Sequence, residues 1–139
     1  MNKSEVTKES LSRFFDTEFP GHSLQIESIG NGKARVRKTP TRSDLRPGNT
    51  VSGPFMMSLV DSALYIAILG ELGLITLAVT TSLNFNFLRK PVANADVIAE
   101  CELIKVGRKL VVGEVSLYSD GAPQPIAHAV GTYSLPSSS

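Results

Sequence analysis

RPGNTVSGPFMMSLVDSALYIAIL, residues 46–69, decides how this chain is read. From Phe55 onward Phe, Met, Leu, Val, Ala and Ile follow one another with a single carboxylate, Asp61, among them. A helix apolar nearly all round is a buried helix, and a carboxylate within it is costly unless something pairs with it or uses it. Gly53-Pro54 marks the start, because proline suits the first turn, and Gly70 marks an end near Leu69. Ser52 reads as the N-cap; the surrounding TVSGP lacks the G-x-S-x-G elbow of a serine nucleophile.

Upstream, residues 4–18 carry Val6, Leu11, Phe14 and Phe15 on one side, an amphipathic helix stopped by Pro20-Gly21 and expected to act as a lid or flank. SLQIESIG and KARVRKTP are alternating runs joined by Asn31-Gly32, a strong hairpin signal. TRSDLRPGNTVS, rich in turn formers, then leads into the apolar helix. Beyond that helix the period changes to two: LAVTTSLNFNFLRKP, ADVIAECELIKV, KLVVGEVSLYS and QPIAHAVGTYSL read as four strands, the last pair joined at Asp120-Gly121. The order predicts an α+β fold, one antiparallel sheet over one unusually apolar helix.

At 139 residues the chain is expected to form a single domain over 1–139, with an N-terminal helical segment in 1–20 and a frayed tail at 136–139. A formal charge of +1, with acids and bases interspersed, leaves no electrostatic footprint for nucleic acid or a membrane surface and favours a small-molecule partner. The N-terminal residues lack the apolar core of a signal peptide, so a cytoplasmic location is expected, and Asp61, Gly70, Glu71 and Gly73 interrupt the one window that could span a bilayer. Cys101, in an alternating run, reads as a buried thiol; with only His22 and His128 besides, no metal is expected.

The layout and its centre resemble the hot-dog fold, in which a curved antiparallel sheet wraps a central helix, and more narrowly the PaaI-type acyl-CoA thioesterases of phenylacetate degradation. In that family a His-Gly-Gly opens the central helix and a carboxylate follows eight residues after the first glycine; the matching positions are Ser52, Gly53, Pro54 and Asp61. LNFNFLRKP and KVGRKLVVGEV are similar to later strands of the family. The family's histidine is Ser52 here, and a polar amide six positions earlier is Arg46, so acyl specificity is not carried over.

Thioester hydrolysis needs a polarised carbonyl and a base or nucleophile. Gly53, at a helix start, offers a backbone N–H at the positive end of the dipole. Asp61 can act as general base toward water or as nucleophile through a transient anhydride; its alternative role is a buried ion pair, with Arg46 the candidate cation. Eight residues of helix separate Gly53 from Asp61 by roughly 12 Å, too far for both to act on one carbon. Two such helices antiparallel across a dimer would unite them, as the resemblance also implies, in a homodimer or a dimer of dimers. Met57 and Tyr65 lie one turn to either side of Asp61 and, with Arg46, Ser52 and Thr81 (or its neighbour Thr80), are candidate substrate contacts. Arg89 and Lys90, and Lys105, Arg108 and Lys109 around Gly107, are candidates for coenzyme A phosphates. No cofactor is expected beyond the coenzyme A of the substrate. The rival readings are an acyl-CoA hydratase or dehydratase, which pairs a histidine with the acid, and a non-catalytic acyl-CoA-binding module.

Overall fold

The computed structural model describes residues 5–137; the outermost residues of both expected terminal segments lie outside that range. Helix α1 spans Lys8–Glu18 and not 4–18, because Thr7 and Ser10 form a reciprocal capping box that sets its first turn. Leu11 and Phe15 bury its inner side. Strands β1 (Leu24–Gly30) and β2 (Lys33–Lys38) form the expected hairpin, with Asn31 at φ 54° and Gly32 at φ 69°, the left-handed pair a type I′ turn requires.

The segment expected to be plain loop contains a single 3₁₀ turn (Arg42–Asp44) and a two-residue ribbon, β3 (Leu45–Arg46) with β4 (Thr50–Val51). Pro47 and Gly48 (φ 92°) turn the ribbon, closed by the Asn49 N–H on the Arg46 carbonyl. It aims the chain directly into α2, Gly53–Leu72. The helix runs past the expected stop at Gly70: a glycine there costs only about 1 kcal/mol, and its bare Cα lies against Ile29. Gly73, at φ 96°, ends it.

Strands β5 (Val79–Phe87), β6 (Val97–Val106), β7 (Leu110–Ser119) and β8 (Ala127–Ser134) complete a six-stranded antiparallel sheet of order β1-β2-β6-β7-β8-β5. α2 packs against one face of that sheet. The helix is long and apolar enough to cross a bilayer, but here the sheet takes up that apolarity, burying Phe55, Leu59, Val60, Leu64, Ile66 and Ile68 among others. Gly113 and Gly131 face each other across β7 and β8, and a Cβ on Gly131 would come within 2.4 Å of Leu64 Cδ1. Those two glycines form the hollow that seats the helix. Cys101 is buried as expected, and burial pushes its thiol up to about 12.

Candidate active site

α2 is not buried all round. Ser58, Asp61, Ser62 and Tyr65 follow the i, i+3, i+4, i+7 spacing of one helix face, and all are exposed or half-buried. This narrow polar stripe is hidden in the sequence by its apolar neighbours. Asp61 thus stands at the wall of a cavity of about 620 Å³, whose lining includes Phe15, Phe19, Lys38, Tyr65, Thr80 and Tyr133. From the N-terminal helix, expected as a lid or flank, Phe15 of α1 and Phe19 at its C-cap line this cavity.

Two hydroxyls hold the carboxylate. Thr80 Oγ1 donates to Asp61 Oδ1 at 2.6 Å, and Tyr133 OH donates to the same oxygen at 2.8 Å while lying 3.1 Å from the Asp61 carbonyl oxygen. Oδ2 accepts no hydrogen bond from the described residues. Burial, together with the adjacent Asp61 charge, pushes the Tyr133 phenol well above its ordinary range, so it remains a donor. Tyr133 stacks on Tyr65 with ring centres 6.1 Å apart, and Tyr65 OH donates to the Thr76 carbonyl at 2.8 Å, fixing that ring at the cavity edge.

A β-bulge decides which threonine reaches the acid. Between Thr80 and Ser82 the β5–β8 register shifts, so Thr80 pairs with Tyr133 while Thr81 is the extra residue. Thr81 donates to the Thr132 carbonyl and does not line the cavity. Of the two threonines read as candidate substrate contacts, Thr80 is the one that reaches Asp61 and lines the cavity. Tyr133 carried no sequence signal, since it lies 72 residues from Asp61 and only the β5–β8 pairing joins them. Met57 is 40% exposed and lines neither this cavity nor the one below.

Gly53 belongs to a second cavity, of about 460 Å³, shared with Arg46, Met56, Phe87, Arg89 and Lys90. Ser52 caps α2, its Oγ accepting from Phe55 N–H at 3.2 Å and its carbonyl from Met56 N–H. Pro54 has no N–H, which leaves that of Gly53 as the donor of the first turn without an intrahelical partner. A Cβ on Gly53 would meet only Phe87, at an ordinary 3.7 Å, so packing within the chain does not require glycine.

Arg46 is exposed in this second cavity, and among the described residues no cation pairs with Asp61, so the ion-pair reading of that carboxylate does not hold. Arg89 donates to the Pro125 carbonyl, which anchors it beside Lys90 at the end of β5. Lys105, Arg108 and Lys109 ring the exposed β6–β7 turn and line neither cavity. Register places them opposite the start of β5, so the two basic clusters sit at opposite ends of the β5–β8–β7 ribbon. His128 meets Glu114 at 3.2 Å, away from both cavities.

A central helix packed against an antiparallel sheet, with a carboxylate midway along it and a glycine at its start, is the hot-dog architecture. Residues 48–126 match the family model described as thioesterase superfamily, and the chain belongs to that superfamily. Among solved structures it is similar to a candidate thioesterase from Silicibacter sp. TM1040, at 37% identity over 96% of this chain and 94% of that one, with a TM-score of 0.87. The PaaI protein of the E. coli phenylacetic acid degradation operon shares the fold at 20% identity, TM-score 0.77, over 94% and 91% of the two chains. So does a hypothetical thioesterase of Streptococcus pneumoniae TIGR4 solved with coenzyme A, at 19% identity, TM-score 0.77, over 91% and 96%. No curated protein matches the sequence significantly.

Proposed function

We propose that the protein hydrolyses an acyl-CoA thioester to the free acid and coenzyme A, and that two chains build each site. The observation that carries this reading is Asp61 at the cavity wall, one oxygen held by two hydroxyls and the other accepting no hydrogen bond from the described residues. That oxygen takes a proton from water as the water oxygen bonds to the carbonyl carbon. The oxyanion so formed needs a fixed donor, and the Gly53 N–H of a second subunit supplies it. The C–S bond then breaks with its electron pair on sulfur, which takes the proton from Asp61. Asp61 can instead attack directly, giving an anhydride that water opens; its oriented carboxylate suits either route.

Support for the second subunit comes from three features. Gly53 and Asp61 open into different cavities of one chain. Glycine at 53 answers to no neighbour in the chain, which suits close approach by a ligand. The edge strand β5 is hydrogen-bonded on one side only and leaves Val79, Phe87 and, on the adjoining α2, Met57 exposed, apolar surface that a second copy would cover. Arg46, Arg89 and Lys90 beside Gly53 are suited to coenzyme A phosphates; coenzyme A bound to the S. pneumoniae relative fits this substrate class. The test is a panel of acyl-CoAs with free thiol followed by a disulfide reagent. Turnover that scales with enzyme supports hydrolysis, whereas binding without thiol release points to a sensor module and refutes it.

A further inference from the structure

The lining of the cavity at Asp61 is of two kinds: the rings of Phe15 and Phe19 packed against Tyr65, and a polar group of Lys38, Asp44 and Ser58. Lys38 is the unexpected member. Along β2, Ala34 and Val36 point inward and are 3% and 0% exposed, and Lys38 follows at the same period of two, at a core-facing position. Lys33, Arg35 and Arg37 of the same strand each pair with a carboxylate: Glu102 at 3.7 Å, Glu27 and Glu100 at 2.8 and 2.6 Å, and Glu27, Asp96 and Asp120 at 2.9 to 3.0 Å. Lys38 has no carboxylate of the described residues within 4.0 Å. Its Nζ lies 3.4 Å from Ser58 Oγ on α2 and 4.8 Å from the centre of the Phe55 ring.

Partial burial lowers the Lys38 pKa from the ordinary lysine value, with the charge of Asp44 opposing. Asp44 acts from a distance because its Oδ2 is engaged by the backbone N–H and hydroxyl of Thr41, at 2.8 and 2.9 Å. A cation drawn partly out of water without a counter-ion in contact gains most from an anion brought to it.

We propose that Lys38 selects the acyl group, pairing with a carboxylate at the far end of a short acyl chain while the thioester carbonyl lies at Asp61. This inference rests on the thioesterase reading above. Ser58, which Lys38 touches, precedes Asp61 by three residues, about 4.5 Å of helix rise, so only a few methylenes fit between the two groups. The substrate class is therefore the mono-thioester of a short dicarboxylic acid.

The test compares adipoyl-CoA with hexanoyl-CoA, chains of equal length that differ in the terminal carboxylate. The ratio of their kcat/KM values should favour adipoyl-CoA by about tenfold or more in the wild type, fall at least as far in Lys38→Met, and rise in Asp44→Asn. Taking a ratio within each variant cancels any loss of folded enzyme. A wild-type ratio of one or less, or a ratio unchanged in Lys38→Met, overturns the proposal. Calorimetric titration with the non-hydrolysable dethia-CoA analogues of both acyl groups separates the two readings. If nothing is turned over, the thioesterase reading fails, yet a Lys38-dependent preference in Kd upholds the carboxylate site, and equal affinities refute it.

Discussion

The two cavities along α2 are built by opposite means. At Asp61 the chemistry lies in side chains: a carboxylate, two hydroxyls pinning one of its oxygens, and tyrosine rings stacked around it. At Gly53 it lies in the backbone, a free N–H at the mouth of a twenty-residue helix with Arg46, Arg89 and Lys90 nearby. One end is equipped to move a proton, the other to hold negative charge. For the proposed hydrolysis neither end suffices alone, and the helix that joins them is too stiff to bring them together. In the proposed dimer the two ends meet across the interface, so each lesion should disable a different half of the same site.

The most severe break is Asp61→Asn, which keeps the shape and the Thr80 contact but cannot take a proton. Turnover should fall about 10² to 10⁴-fold while circular dichroism and melting temperature stay near wild type; near-normal hydrolysis would remove Asp61 from the chemistry. Gly53→Pro deletes the donor at the other end and should cost about 10² to 10³ in kcat. Ser52 is already extended (φ −79°, ψ 163°), as a residue before proline must be. A mixed dimer of the two variants sharpens the comparison, because one of its sites combines the intact Gly53 of one chain with the intact Asp61 of its partner. Roughly half the wild-type activity per dimer should return; an assembled mixed dimer that stays inactive excludes a shared site.

Tyr133→Phe removes one of the two hydroxyls on Oδ1 and should lower kcat about tenfold with little change in KM, since one hydrogen bond to a charged group contributes about 1.5 kcal/mol. Because Thr80 serves the same oxygen, Thr80→Val combined with Tyr133→Phe should cost more than the product of the single losses. Arg89→Ala acts at the other end and should raise KM a few-fold for acyl-CoA, but not for a truncated pantetheine thioester that lacks the nucleotide. Equal effects on both would place Arg89 outside the nucleotide site.

The smallest effect lies away from both cavities, on the outer face of the sheet. Glu27 is held below its ordinary pKa chiefly by hydrogen bonding to Arg37, against the opposing effect of burial, and further by Arg35. A carboxylate with a depressed folded pKa contributes stability that is complete above its unfolded value and is lost as pH falls through the folded one. Urea midpoints of wild type and Glu27→Gln should therefore differ most near neutrality and converge in acid, below pH 4.5. A constant gap across that range would remove the ionic contribution.

Much of this was legible in the chain. Alternation in four late segments and the Asn31-Gly32 turn marked the sheet, and the family model and structural likeness agree with the hot-dog reading. The site was legible only in part. Thr80 and Thr81 are indistinguishable by type, and a bulge, which depends on pairing with a strand fifty residues away, turns the first and not the second toward Asp61. Lys38 looked like one more charge in KARVRKTP until its inward position, and the lack of a carboxylate within 4.0 Å among the described residues, set it apart.

The sequence by itself determined what local physics can encode: the period of the six long strands, the turn at Asn31-Gly32, the proline-set start of α2 and the roughly 12 Å between Gly53 and Asp61. Helical rise and strand alternation act between near neighbours, so they are written in the order of residues. Only the tertiary structure decided that α2 shows one polar stripe to a cavity, that Tyr133 meets Asp61 and that the basic clusters part to opposite ends of the sheet. Those outcomes depend on strand register and on which helix face the sheet buries. Both are settled by long-range packing, the Gly113–Gly131 hollow around Leu64 above all, rather than by any short stretch of chain.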